Sequence, residues 1–146
     1  MAYRSELDDG RALLVACLSA GGDEMADFRA HVARMRRVCE LARPLKKRAA
    51  VLVVLERGHA LPDAATRKHV AEQTSDASFD PWLVVVTPNP MLRGVFTALG
   101  WLRKAHYESH VVSEPAQAFT WLERQRGEPL PELALMLERV LARRAP

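Results

Sequence analysis

The chain has 146 residues, of which 49% are apolar and 27% charged, and its formal net charge is +3. A length near 150 residues predicts a single domain, and this composition excludes disordered, collagen-like and disulfide-rich chains. No apolar run approaches the ~20 residues of a membrane span, and the N-terminus lacks the apolar core of a secretory signal. The two cysteines form no C-x-x-C pair, so a cytoplasmic location is expected.

The first part of the chain predicts a β-hairpin and then a helix. Residues 2–7 predict an edge strand, and Asp8-Asp9-Gly10 supplies turn chemistry, because Asp and Gly tolerate positive φ. The continuous apolar run at 12–18 predicts a strand buried on both faces. Asp23 is expected to cap a helix that ends at Pro44. The apolar stripe of that helix recurs at spacings of three and four residues: Met25, Phe28, Val32, Met35 and Cys39.

The remainder predicts alternating strands and helices. Residues 49–55 form the clearest strand pattern, and strands are also expected at 82–87 and 109–113. A second helix is expected from Pro62 to about Thr74, and Asn89-Pro90 predicts the start of a third. Ser113 is expected to cap a fourth helix, which ends near Gly127. The stripe of the third helix is Leu92, Val95, Phe96, Leu99 and Leu102, and that of the last helix is Leu133, Met136, Leu137, Val140 and Leu141.

This alternation predicts an α/β fold with a mixed, mostly parallel central sheet of four to five strands and helices packed on it. An N-terminal β-hairpin and an extra C-terminal helix complete the expected fold. The main domain is expected to span residues 1–127, with 128–146 as an appended helix. That helix has two alternative roles. It either seals the domain's own sheet or packs against a second copy or another protein.

Three segments carry a resemblance to a known family: the hairpin at Asp8-Asp9-Gly10, the strand at 49–55 with its following loop, and the passage at 82–102. The order of strands and helices in the chain resembles that of the STAS domain of sulphate transporters and anti-sigma-factor antagonists. The resemblance is to the stand-alone bacterial branch and covers about residues 3–126. The resemblance implies a non-catalytic regulatory or adaptor domain that acts through protein–protein contact. The antagonists carry an Asp-Ser phosphorylation motif that is missing here. Thr66, about one turn into the second helix, is the possible phospho-acceptor.

The expected partner-binding surface is the loop after the central strand together with the second helix, and its named residues are Arg57, His59, Asp63 and Arg67. A first alternative is a binding module for a small ligand or lipid headgroup, which a pocket lined by Trp82 or Trp101 would support. A second is a degenerate receiver-like signalling domain, with Glu56, Thr87 and Ser113-Glu114-Pro115 at the receiver's functional positions. An enzyme would need a polar cleft around Glu56 and His59, and no catalytic signature is present.

The positive charge is concentrated in residues 28–48, which hold eight basic residues and one acid. Such a segment favours an acidic protein partner. Nucleic acid is not expected, because no aromatic side chains are interleaved for base stacking. The five histidines lack metal-ligand spacing, so no metal or cofactor is expected. The basic surface comprises Arg34, Arg36, Arg37, Arg43, Lys46, Lys47 and Arg48.

Overall fold

A five-stranded sheet forms the centre of the protein. The structure is a computed structural model that describes residues 2–59, 61–102 and 106–143, with backbone only for 98–102. The spatial order of the strands follows the chain. The first pair is antiparallel and the other three pairs are parallel. The strands are β1 (Tyr3–Asp8), β2 (Leu13–Leu18), β3 (Ala50–Leu55), β4 (Trp82–Val86) and β5 (Glu108–Val112).

Helices cover both faces of this sheet. They are α1 (Glu24–Ala42), α2 (Ala64–Gln73), α3 (Pro90–Leu102), α4 (Pro115–Arg126) and α5 (Glu132–Ala142). Because parallel strands in sequential order are joined by crossovers of one hand, α1, α2 and α3 lie on the same face. The opposite face carries α4, which packs on β4, and α5, which packs on β2. The predicted α/β class, the mixed sheet and the N-terminal hairpin are confirmed.

Strand β2 shows how the sequence places the core on two sides. Every residue of β2 is buried, because helices cover both of its faces. Leu13 and Val15 pack in the cluster with α4 and α5, and Leu14 packs with α1. The apolar run without polar alternation therefore corresponds to a strand that alternates between two separate hydrophobic layers.

The last helix seals the protein's own sheet, which was one of its two expected roles. Leu133, Met136, Leu137 and Val140 are buried in the same cluster as Leu13 and Leu52. Leu141, expected on this stripe, is 43% exposed, because the buried face turns away from it after Val140. A homodimer through α5 would have to use exposed side chains such as Leu135 and Leu141.

Several expected turns and caps differ by one or two residues. Helix α2 begins at Ala64, because the Asp63 carboxylate caps it by accepting from the Thr66 amide at 2.8 Å. Pro62 therefore precedes the helix. Helix α4 is capped by Glu114 and not by Ser113, because Glu114 and Gln117 form a reciprocal capping box.

The turn of the hairpin takes its positive φ at Ala12 (55°), since Asp8 Oδ1 accepts from the Arg11 amide at 3.0 Å and carries the turn beyond Gly10. Helix α1 ends at Ala42, and Pro44 lies inside a short 3₁₀ turn that follows it. The predicted caps Asp23 and Asn89 are confirmed, with their side chains accepting backbone N–H groups at 3.1 and 2.9 Å.

Candidate ligand-binding cavity

A cavity of about 770 Å³ lies between the sheet and the three helices α1, α2 and α3. Its floor is formed by apolar side chains of β3, β4 and β5: Val53, Leu55, Leu83, Val85 and Val111. Phe28, Val32 and Met35 of α1 form one wall, and Phe96 of α3 contributes to another. This volume lies within the range of about 300–1,000 Å³ that is usual for small-molecule sites.

The cavity exists because α2 has almost no apolar face with which to pack on the sheet. Thr66 is the only buried residue of α2, and the helix packs mainly against α1. Val70 and Ala71 are half-buried and face the cavity. The apolar floor is therefore only partly covered: Val53, Leu55 and Val85 are buried, whereas Leu83 and Val111 are half-buried and leave space for a ligand.

Two cations of α2 border this apolar space. Arg67 lines the cavity and donates to the carbonyl of Pro62 at 2.8 Å, and its other N–H groups have no partner among the described residues. Lys68 is 79% exposed and lies 3.9 Å from Glu72, a surface pair of small energetic value. Glu108 also borders the cavity, but strand alternation turns its carboxylate to the opposite face, 3.8 Å from Arg48. The charged side chains facing the cavity are therefore positive.

A buried hydrogen-bonded pair lies at the α1 wall. The Tyr3 hydroxyl and Nδ1 of His31 are 3.0 Å apart, and the rings are tilted by 59°. Burial lowers the pKa of His31 to about 4. Burial likewise raises the pKa of Tyr3 to about 12, against weaker opposing effects of Ser5 and Arg34. Both groups are neutral at pH 7, so the wall offers hydrogen bonding without charge.

The predicted partner-binding residues fall into two groups. Arg67 lies at the cavity, whereas Arg57, His59 and Asp63 do not line it. His59 packs edge-on against Phe28 with ring centroids 6.1 Å apart. Asp63 caps α2, and the hydrogen bond that it accepts from the Thr66 amide holds its pKa below the usual range. Arg57, His59 and Asp63 therefore belong to an exposed or half-exposed segment next to the cavity.

Thr66 is 1% exposed, so its hydroxyl is not at the surface. Its Oγ1 atom is buried and has no hydrogen-bond partner in the described structure. A kinase could not reach this oxygen unless α2 moved away from α1. The position therefore gives no support to Thr66 as a phospho-acceptor in the folded protein.

Glu56 and His59 do not create a shared polar cleft. The Glu56 carboxylate turns toward α5, where Oε1 accepts from the Cys17 thiol at 2.8 Å and from Arg4. His59 instead packs on Phe28, on the α1 side. Desolvation opposes ionisation of Glu56, but the Cys17 thiol and the Arg4 guanidinium hold its pKa below the usual range. Burial, and then the carboxylate, raise the pKa of Cys17 to about 12, which keeps it a thiol.

Replacing Glu56 by Gln is expected to lower the free energy of unfolding by about 1 kcal/mol, since a half-exposed charge-assisted pair is lost. Arg4 still donates to the Val140 carbonyl at 3.3 Å and to Ser19 at 3.0 Å, which limits the loss. The control is Glu40→Gln, at an exposed pair with Arg37. Urea titrations should give a lower unfolding midpoint for Glu56→Gln than for Glu40→Gln. Equal midpoints would contradict a stabilising role for the contacts of Glu56 with Arg4 and Cys17.

The basic segment is largely paired with acids from elsewhere in the fold. Three of the four acidic partners lie outside residues 28–48, so folding neutralises much of the charge that sequence concentrates there. Arg34 donates to the Ser5 hydroxyl at 3.2 Å, while Arg43 and Lys46 are exposed. The ion pairs are Arg36–Asp76 (2.9 Å), Arg37–Glu40 (3.2 Å), Lys47–Glu128 (2.6 Å) and Arg48–Glu108 (3.8 Å).

Trp82 was expected to line a ligand pocket, but it does not line the cavity. Its ring lies on the opposite face of the sheet, beneath the Arg48 guanidinium at 3.7 Å and edge-on to Trp121. The side chain of Trp101 lies outside the described residues, as do those of Leu99 and Leu102. The cavity lining was missed by sequence reasoning, because apolar strand residues look alike whether or not a helix covers them.

His31 and Tyr3 were also missed as site residues. His31 lies three residues after Phe28 on the buried side of α1, and this spacing was the available signal. Tyr3 was assigned only to an edge strand. Its contact with His31 joins residues 28 positions apart, so no local pattern contains it.

Within residues 2–59, 61–102 and 106–143, no group of three His, Cys, Asp or Glu side chains could hold a metal ion. Among the helices described, none combines the length and hydropathy needed to cross a bilayer.

No family model, no curated protein and no solved structure matches this chain. The geometry of the cavity is therefore the feature from which a function is inferred.

Proposed function

We propose that this protein is a non-catalytic binding domain that holds a small amphipathic organic anion in the cavity between α2 and the sheet. The observation that carries the proposal is the cavity of about 770 Å³ with an apolar floor and cations at its border. Burial of an aliphatic chain there stabilises the complex by roughly 0.8 kcal/mol for each CH₂ group. Arg67 and Lys68 supply charge complementarity for the anionic end.

The binding test uses 1-anilinonaphthalene-8-sulfonate, an apolar fluorescent anion, followed by its displacement with decanoate. Saturable binding and displacement are expected for the wild-type protein. Val111→Trp should abolish both, because the indole fills space above the floor from the edge strand β5. Leu135→Trp is the matched control, since Leu135 is exposed on α5 on the other side of the sheet. Equal binding by both variants, or no binding by the wild type, would contradict the proposal.

The charge at the border is tested separately. Lys68→Glu is expected to weaken decanoate about three- to fivefold, because an exposed charge contributes up to about 1 kcal/mol. Lys46→Glu makes the same charge change at an exposed residue that does not line the cavity. Isothermal titration at low and at high salt gives the readout. If the two variants bind decanoate equally, Lys68 has no role in recognition.

The second candidate function is the protein adaptor that the STAS resemblance implies. It is favoured by the outer surface of α2, where Ala64 and Ala65 are exposed and not required for packing. The neighbouring Arg57 is exposed as well, and together these residues would contact a protein. Ala65→Arg should then displace a stoichiometric partner that the wild type and Ala77→Arg both retain. Retention by Ala65→Arg would exclude this surface.

A cytoplasmic location is also proposed. Cys17 and Cys39 are buried free thiols, which is compatible with a reducing compartment.

The receiver-like alternative has less support. Thr87 is 1% exposed and Glu56 is engaged by Arg4, so neither is displayed in the way that a phosphoryl-accepting site requires.

A further inference from the structure

The wall formed by α1 contains one polar ring in otherwise apolar surroundings. His31 is only 4% exposed, and it borders the cavity together with Phe28 and Met35. One ring nitrogen, Nδ1, is paired with the Tyr3 hydroxyl at 3.0 Å. The other, Nε2, has no hydrogen-bond partner among the described residues, and it is not one of the unpaired atoms that are sealed from solvent. Since His31 lines the cavity, this nitrogen is open to a hydrogen-bond partner that enters the cavity.

The hydrogen-bond count decides which ring nitrogen carries the proton. If Nδ1–H donated to Tyr3, the phenolic hydrogen and the Nε2 lone pair would both be left without partners. If Tyr3 donates to Nδ1, only Nε2–H is left over. An unmade hydrogen bond at the buried phenolic hydrogen costs about 1–3 kcal/mol, whereas an Nε2–H that reaches the cavity can be paired there, so the second arrangement is favoured.

We infer that the Nε2–H of His31 donates a hydrogen bond to an uncharged acceptor oxygen in the apolar part of the ligand. The inference rests on the proposed function and narrows its ligand class to aliphatic carboxylates that carry a carbonyl oxygen along the chain. A neutral imidazole among apolar side chains suits a ketone oxygen. The carboxylate is matched instead by Arg67 and Lys68 on α2.

The test compares decanoate with a series of oxodecanoates whose carbonyl moves along the chain, each displacing the fluorescent anion. At least one oxodecanoate should bind the wild type about three- to tenfold more tightly than decanoate, the fold-change expected of one neutral hydrogen bond. His31→Asn keeps an acceptor for Tyr3 but has no Nε2–H. It should lose the preference for the carbonyl, so that the dissociation constants of this variant for decanoate and for the preferred oxodecanoate become equal.

A second measurement needs no ligand. Long-range ¹⁵N NMR of the imidazole should show the Nε2–H tautomer of His31 in the wild type, and a mixture in Tyr3→Phe. If decanoate binds but no oxodecanoate is preferred, or if the wild type carries its proton on Nδ1, the inference is overturned and the proposed function stands. If neither the fluorescent anion nor decanoate binds, the proposed function itself fails.

Discussion

Removal of residues 128–146 is expected to leave a chain that does not fold cooperatively. Helix α5 buries four side chains against the sheet, in the same cluster as β2 and β3. Without it, the residues of β2 that face α5 would be exposed to water, since α5 is the helix that packs there. Circular dichroism with thermal melting checks this, and a truncated protein with a sharp two-state transition would contradict it.

Point substitutions on the same helix separate loss of packing from loss of length. Leu133→Ala is expected to lower the free energy of unfolding by about 2–5 kcal/mol, since Leu133 is fully buried. Leu135→Ala, at a residue 54% exposed, should change it by no more than about 0.5 kcal/mol. If α5 served as an interface between copies, Leu135→Ala would instead shift the oligomeric state in gel filtration.

Acidification from pH 7.5 to pH 5 is expected to lower the free energy of unfolding by about 2 kcal/mol through His31 alone. Its pKa is about 4 in the folded protein, while the unfolded chain has the ordinary value of 6.5. Between these values the unfolded state binds more protons, so stability falls as the pH falls. The contribution is complete above pH 6.5 and is lost progressively toward pH 4.

This pH window separates His31 from the acidic side chains. The pKa of Asp76 is held at about 2 chiefly by its hydrogen bond to Arg36, and that of Glu128 is lowered chiefly by Lys47, so their contributions are lost below pH 5. Urea titrations at several pH values should show a steep slope in the wild type and a shallow one in His31→Asn. His106→Gln, at an exposed histidine, should keep the steep slope. A wild-type stability that is constant over this window would contradict a buried neutral His31.

The sequence contained most of the information about the elements, because apolar periodicity is a local property. The continuous runs of β2 and β3 and the three-and-four spacing of α1 each identify one element without reference to another. The first residue of a helix is not a local property to the same degree, since Asp63 follows Pro62 and Glu114 follows Ser113, and each of these residues can stand at the start of a helix. The choice between them depends on which side chain reaches a free amide, which the fold decides.

The cavity illustrates the opposite case. The weak apolar face of α2 was evident in the sequence, but not its consequence, because the floor comes from β3, β4 and β5, which are distant along the chain. The same holds for Tyr3 with His31 and for Arg4 with Glu56, which are 28 and 52 residues apart. The amino-acid composition determines the net charge of +3, and the order of the residues places most of the positive charge in residues 28–48. Only the tertiary structure decided that Asp76, Glu108 and Glu128 would meet those cations, because the pairing of charges depends on distance in space and not on position along the chain.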